Sequence, residues 1–168
     1  LDNWRQVVLK EFTGGMSYGL YASNGAQPNG WTVNTDGLEG NVDSPQDLPL
    51  DTWSHIALTY DGAKLQFYLD GTKTATKDFS GSLRADGGPL RIGGNSVWGE
   101  YFSGLIDEVR VYNRALAETE IQSDKDTPVA GVGQASAGIV ASTTTTTTFV
   151  YDAFGRLATK TGTGVKNQ

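Results

Sequence analysis

The sequence predicts an all-β protein built as an antiparallel sandwich or barrel. Three observations carry that prediction. Short apolar runs alternate with Gly, Asn, Asp and Pro from about residue 4 to residue 112. Inside those runs apolar and polar residues alternate with the two-residue period of a half-buried strand. The 22 glycines and 5 prolines in 168 residues supply turns throughout, yet stay below the composition of low-complexity disorder.

Each element follows in order. "RQVVLKEF" and "SYGLYAS" are the first two expected strands, and "GWTVNT" the third, after the turn-like "NGAQPNG". "DSPQDLPLDT" carries two prolines and reads as a loop. The clearest unit is "WSHIALTYDGAKLQFYLDGTKTATKDF". There Ile56, Leu58 and Tyr60 share one face, and so do Leu65, Phe67 and Leu69 on the next strand. Asp61-Gly62 and Asp70-Gly71 are turns, so three strands form a meander. "PLRIGG" is one more short strand, and "SGLIDEVRVY" the expected last one. Only "NRALAETEIQ" reads as helix, roughly residues 115–122, with Glu118 and Glu120 in the first turn where the dipole favours them.

A hydrophobic fraction of 38% with 10% aromatics is enough for a core. The net charge of −6 and the absence of a basic stripe argue against nucleic acid as a partner. With no cysteine, disulfides and thiolate metal sites are excluded. No apolar run approaches the roughly 18 residues of a membrane-spanning helix, so no membrane insertion is expected.

The order Trp53-x-His55-x-Ala57-x-Thr59-Tyr60-Asp61-Gly62, then "YLDG", "RIGG" and "GLIDEVRVYNRAL…EI", resembles the laminin-G-like group of the concanavalin A-like superfamily, nearest its bacterial three-type laminin G domain. The resemblance covers about residues 5–122. It implies a jelly-roll β-sandwich of about a dozen antiparallel strands with one short helix near its end. Domains of this type begin with an earlier segment carrying an "FDG"-like strand that has no counterpart here. The expectation is therefore an N-terminally incomplete domain with an exposed strand edge or an unfinished core. The tail "YDAFGRL" is similar to the YD repeat of the RHS family through Tyr151, Asp152, Gly155, Arg156 and Leu157. The expected organisation is a laminin-G-like sandwich over 1–123, a Gly/Ala/Thr-rich linker over 124–148, and a partial YD-repeat hairpin over 149–168, all part of a larger secreted or cell-surface parent chain.

Strand alternation puts Asp107 on the face of Leu105, Val109 and Val111, where a carboxylate needs a cation, several donors or solvent. The resemblance implies a structural calcium ion there, completed by backbone carbonyls. Hydrogen bonds from backbone amides or an arginine are the alternative. Glu108 and Arg110 read as a surface ion pair on the opposite face. His55 is the only histidine and has no nucleophile elbow to serve, so a packed structural role is expected. No inward "ExDxxE"-type cluster of carboxylates occurs, which disfavours a glycoside hydrolase. Trp31, Trp98 and Tyr101 flank Gly- and Asn-rich loops; with Asn95 they offer rings and an amide to a sugar, and packing of the rings under those loops is the alternative reading that the sequence favours. The leading reading is a non-catalytic module that binds a glycan or an extracellular protein ligand. The rival is a structural spacer without a ligand.

Overall fold

The computed structural model describes residues 4–84, 87–129, 147–151 and 157–162. The chain divides into two compact units, Leu1–Thr127 and Pro128–Gln168.

In the first unit β1 (Trp4–Phe12), β2 (Gly15–Asn24), β3 (Asn29–Val33) and β4 (Glu39–Asp43) form an antiparallel meander. β5 (Ile56–Tyr60), β6 (Lys64–Leu69) and β7 (Thr72–Asp78) form a second sheet. β8 (Leu90–Ile92) returns to pair with β1, so the sheets read β4-β3-β2-β1-β8 and β5-β6-β7. The described part of this unit thus has eight strands rather than about a dozen.

The turns show why these strands form. Asn24 Oδ1 accepts from the amides of Ala26 and Gln27, folding β2 back onto β3. Asn34 Oδ1 accepts from Asp36 and Leu38 amides at 3.0 and 2.9 Å, which turns β3 into β4. Strand β4 is absent from the sequence reading, because the turn that makes it depends on this one buried asparagine. Asp70 and Gly71 sit at φ 49° and 81°, the paired left-handed conformation of a two-residue hairpin turn.

The two sheets face each other through alternate residues. Leu65, Phe67 and Leu69 of β6 are buried with Val42, and Leu20, Leu48, Ile56, Leu58, Tyr60 and Ala75 pack around them. The meander's inward set is the one the alternation predicts. On the other face Tyr68 is also buried, its hydroxyl donating to Gln66 Oε1 at 2.8 Å. Contact between the sheets is close at Gly30, where a Cβ would fall among the methyl carbons of Leu58. Gly40 is similar, since its Cβ would meet the Phe79 ring at 2.6 Å.

The expected last strand is corrected. Residues 103–112 contain no strand, and Glu108 has φ 54°, a left-handed conformation that no strand accommodates. Asp107 is therefore not an inward strand residue; it is exposed. The segment is held instead by its arginine. Arg110 donates to the carbonyls of Asp124 and Thr127 and to Glu108 Oε2 at 3.3 Å. Tyr112 Oη donates to Asp124 Oδ2 at 2.7 Å.

Helix α1 spans Glu118–Asp126, three residues later than the sequence suggests at each end or more. Its start is set by Ala117, whose carbonyl accepts from Glu120 and Ile121 amides, while Glu120 reaches back to the Ala117 amide at 2.8 Å. Arg114 clamps Glu120 with both guanidinium nitrogens, at 2.8 and 2.6 Å. Ile121 is buried, and Glu118 accepts from the Lys73 amide of β7, so the helix caps the second sheet.

In the second unit β9 (Thr147–Tyr151) pairs antiparallel with β10 (Leu157–Gly162). The expected turn at Asp152–Gly155 lies outside the described residues, as do residues 143–146 of the threonine run.

Two measurements check this account. Replacing Gly30 by alanine overpacks the sheet interface and is expected to cost about 1–3 kcal/mol in urea unfolding, with part of the loss recovered when Leu58→Ala makes room. The hydrogen bond from Arg114, with that from the Ala117 amide, pulls the Glu120 pKa from 4.5 down to about 2. A depressed carboxylate stabilises the folded state above pH 4.5 and loses that contribution as pH falls towards 2. In an NMR titration Arg114→Gln is expected to move the Glu120 midpoint upward towards its ordinary value.

Candidate functional site

The loop after β8 is a small built platform. The Gly94–Tyr101 bridge closes its base, with Asn95 amide to Glu100 carbonyl at 3.0 Å and Phe102 amide to Gly93 carbonyl at 3.1 Å. Asn95 is only 2% exposed and works from below. Its Nδ2 donates to Glu100 Oε2 at 2.8 Å, and its Oδ1 accepts from the Trp98 amide at 2.8 Å. Trp98 and Tyr101 then stand out at 50% and 64% exposed. The structure places Asn95, expected as a ligand contact, beneath the loop that it shapes, with its amide bonded to the loop's own backbone and carboxylate.

Two carboxylates fasten this loop to the first sheet. Glu100 Oε2 also accepts from Tyr21 Oη at 3.1 Å. Buried Glu11 accepts from the Ser96 amide and hydroxyl at 3.1 and 3.2 Å, and pairs with Arg91 Nε at 3.2 Å. Burial alone would raise the Glu11 pKa, but the Ser96 amide and Arg91 outweigh it and hold the carboxyl below 4.5. For Tyr21, burial and the adjacent Glu100 push the phenol well above its ordinary value.

Tyr21 leads on to an aromatic group on the same sheet face. Trp4 packs edge-on against Tyr21 at 5.2 Å and, tilted, against Trp31 at 6.1 Å. Trp31 is therefore a half-buried sheet residue rather than a loop residue, and its Nε1 is buried without a partner. Gln6, Tyr21, Asn29 and Asp43 are cross-strand neighbours in one row of that sheet. Within the row, Gln6 Oε1 and both amide atoms of Asn29 are buried and unpartnered. Sequence reading found Trp31, Trp98 and Tyr101. It missed Trp4, Tyr21, Gln6, Asn29 and the two anchoring glutamates, which only the register brings together.

Residues 1–122 match the laminin G form of the concanavalin A-like lectin/glucanases superfamily. The chain belongs to that superfamily. A relative in sequence is the adhesion G-protein coupled receptor V1 of Danio rerio, 31% identical over 81 residues. That stretch is 46% of this chain and 1% of the receptor, so the chain spans a very small part of that relative. A similar solved structure is residues 221–444 of an S-layer domain-containing protein from Clostridium thermocellum, at 22% identity and a TM-score of 0.40, covering 64% of this chain and 55% of that one.

The calcium expectation for this laminin-G-like domain meets a poor donor set. Asp107 Oδ1 accepts from the neighbouring Glu108 amide at 2.8 Å. Among the described residues no group of three or more His, Cys, Asp or Glu is placed to hold a metal. Calcium takes six to eight oxygens, and the residues around Asp107 do not fit it. Glu108 and Arg110 do form the expected pair, although Arg110 spends most of its donors on the end of α1. His55 precedes β5; its amide donates to Asp70 Oδ1 at 2.9 Å and its carbonyl accepts from the Asp70 amide. Its Nδ1 is buried without a partner, and burial lowers the ring's pKa.

Removing the Asn95 amide tests whether the loop is built as described. Asn95→Ala leaves the Trp98 amide without its acceptor and Glu100 Oε2 with Tyr21 Oη in place of two donors, and is expected to cost about 1–3 kcal/mol. A red shift of tryptophan emission and faster amide exchange over residues 95–101 are expected with it.

Proposed function

We propose that the chain is a non-catalytic binding module that takes a glycan or an extracellular protein ligand, and that it serves within a larger secreted or cell-surface protein. The observation that carries this reading is the pair of exposed rings, Trp98 and Tyr101, on a loop whose base is fixed by Asn95, Glu100 and Glu11. A flat apolar ring carried on a fixed backbone stacks on a sugar face or a partner's side chain at a reduced ordering cost. Membership of a lectin-containing superfamily supports it, as does the likeness to an adhesion receptor over 81 residues. Among the described residues no helix is long and apolar enough to cross a membrane.

An enzymatic reading is less well supported. Glycoside hydrolysis needs a carboxylic acid with a raised pKa beside an ionised one. The buried carboxylate here, Glu11, is held below its ordinary value and spends its oxygens on Ser96 and Arg91. The YD-like tail, with its antiparallel β9–β10 pair, supports a parent protein of the RHS type.

A glycan array probed with the full chain tests the proposal. Binding to a subset of glycans is expected, with about a tenfold or greater loss in Trp98→Ala and Tyr101→Ala and none in Leu38→Ala, an exposed residue on the β3–β4 turn. Signal is expected to survive EDTA, because Asp107 lacks a calcium donor set; loss in EDTA would restore the calcium site. A blank array together with no captured extracellular protein would leave the spacer reading. Turnover of a β-glucan would overturn the non-catalytic one.

A further inference from the structure

The outer face of the larger sheet is the side turned away from Leu58. On β3 it carries Asn29 and Trp31, which flank the inward-facing Gly30. Several buried polar atoms on this face are unmet. Gln6 and Asn29 are both 0% exposed. Gln6 spends its Nε2 on the Arg91 carbonyl at 3.3 Å, while its Oε1 has no partner among the described residues. Both amide atoms of Asn29 and the indole Nε1 of Trp31 are likewise unpartnered. Their polar neighbours are already engaged. Tyr21 Oη, in the same row, donates to Glu100, and the Asp43 carboxylate accepts from Asn24 and Asn41 at 3.0 and 3.2 Å. The Trp4 indole runs across this row from β1. It packs edge-on against Tyr21 of β2 and, tilted, reaches Trp31 of β3. A buried donor or acceptor without a partner carries its full desolvation penalty, so an indole is a poor match for the atoms around it.

We propose that this row is a second glycan subsite, that it takes the acetamido group of an N-acetylamino sugar, and that Trp4 covers it between binding events. The site rests on the glycan-binding reading above but on none of the platform's exposed rings. The placement of the unmet atoms selects the group. The acceptor Gln6 Oε1 is on β1, and the donors Asn29 Nδ2 and Trp31 Nε1 are on β3, on either side of β2. β1 and β3 are two strand spacings apart, roughly 9.5 Å. A trans amide points its N–H and C=O in opposite directions, and with a hydrogen bond at each end it spans roughly 8 Å. Its N–H then donates to Gln6 Oε1, and its C=O accepts from Asn29 Nδ2 or Trp31 Nε1. Asn29 Oδ1 is left to accept from a ring hydroxyl, and the apolar face of the sugar takes the place of the Trp4 indole against Trp31. A lone hydroxyl is too short to join both sides. Asp43, which ends the row, and Glu100, which holds Tyr21, disfavour a carboxylated or sulfated sugar. A peptide repeats its amide at every residue, whereas this row meets one.

The test uses the full chain carrying Trp98→Ala and Tyr101→Ala, so that the platform contributes nothing. Calorimetry with a soluble oligomer of N-acetylglucosamine is expected to show saturable binding. It is expected to be at least about tenfold tighter than with the matching oligomer of glucose, which has a hydroxyl in place of the acetamido group. Adding Trp4→Ala is expected to tighten binding about tenfold, since the cover no longer competes. Asn29→Leu is expected to abolish binding while keeping or raising the melting temperature, because apolar atoms of similar volume replace unmet polar ones. If Asn29→Leu does not fold, Gln6→Met, which keeps the shape and removes Oε1, is expected to lose the acetamido preference. Equal binding of the two oligomers overturns the proposal. So does the absence of saturable binding to chains with native β circular dichroism, with and without Trp4. Binding that survives Asn29→Leu or an acetamido preference that survives Gln6→Met overturns it as well. An N-acetylated peptide that binds as tightly as the sugar replaces the glycan with a protein ligand and also overturns it. Binding seen in the unsubstituted chain and lost in the double variant assigns the sugar to the platform, which overturns this site and leaves the proposed function standing.

Discussion

The close approach of the sheets at Gly30 governs the first unit. Leu58 fills the space that a side chain at Gly30 would occupy. Because that space is filled, β5 lies directly against the larger sheet, and Leu65, Phe67 and Leu69 of β6 reach Val42. The core therefore forms where two alternating patterns meet over a glycine. A well-packed interior tolerates no extra methylene without strain, so one residue with no side chain sets the spacing for many that have one.

From this anchoring follows an uneven distribution of order. Burial is complete around β4, β3 and β6 and falls away towards β8 and residues 103–112. Local opening costs least where few apolar groups are buried and backbone groups lack ladder partners. The arginines answer this on the C-terminal side. Arg110 ties the irregular segment to the last turn of α1, and Arg114 holds the first turn through Glu120. Neither replaces an apolar core, because charge pairs near water contribute little each. What they fix is position: the helix stays on the β6–β7 turn, and the segment stays beside the end of the helix.

The meander of β5, β6 and β7 was legible because alternation, two Asp-Gly turns and β-branched residues agree. Strand β4 was not, since "LEGNVD" carries little alternation and owes its place to the Asn34 turn. Residues 103–112 were read as a strand because their alternation is that of a strand. Alternation reports which face a residue would take, but a strand also needs a neighbour to bond, and the described chain offers none at that place. The same limit applies to the platform. Trp98 and Tyr101 were visible as aromatics among glycines, while Glu11 lies 85 residues from Ser96 and joins it only through the sheet. Asn95 was visible as a polar residue, but nothing in its neighbours says whether the amide faces a ligand or its own loop.

That distinction bears on what the platform can do. An asparagine that bonds its own loop gives no affinity by itself, and it lowers the cost of binding by fixing beforehand the backbone that carries the rings. The two glutamates act the same way. A carboxylate that must protonate a leaving group needs its neutral form to be accessible near neutral pH. Glu11, bonded to an amide, a hydroxyl and a guanidinium, is stabilised in the opposite form. Each bond that makes it a better anchor makes it a worse acid. The chemistry of this face thus leaves its exposed groups to stacking and its buried charges to architecture, which is the division of labour that recognition without reaction requires.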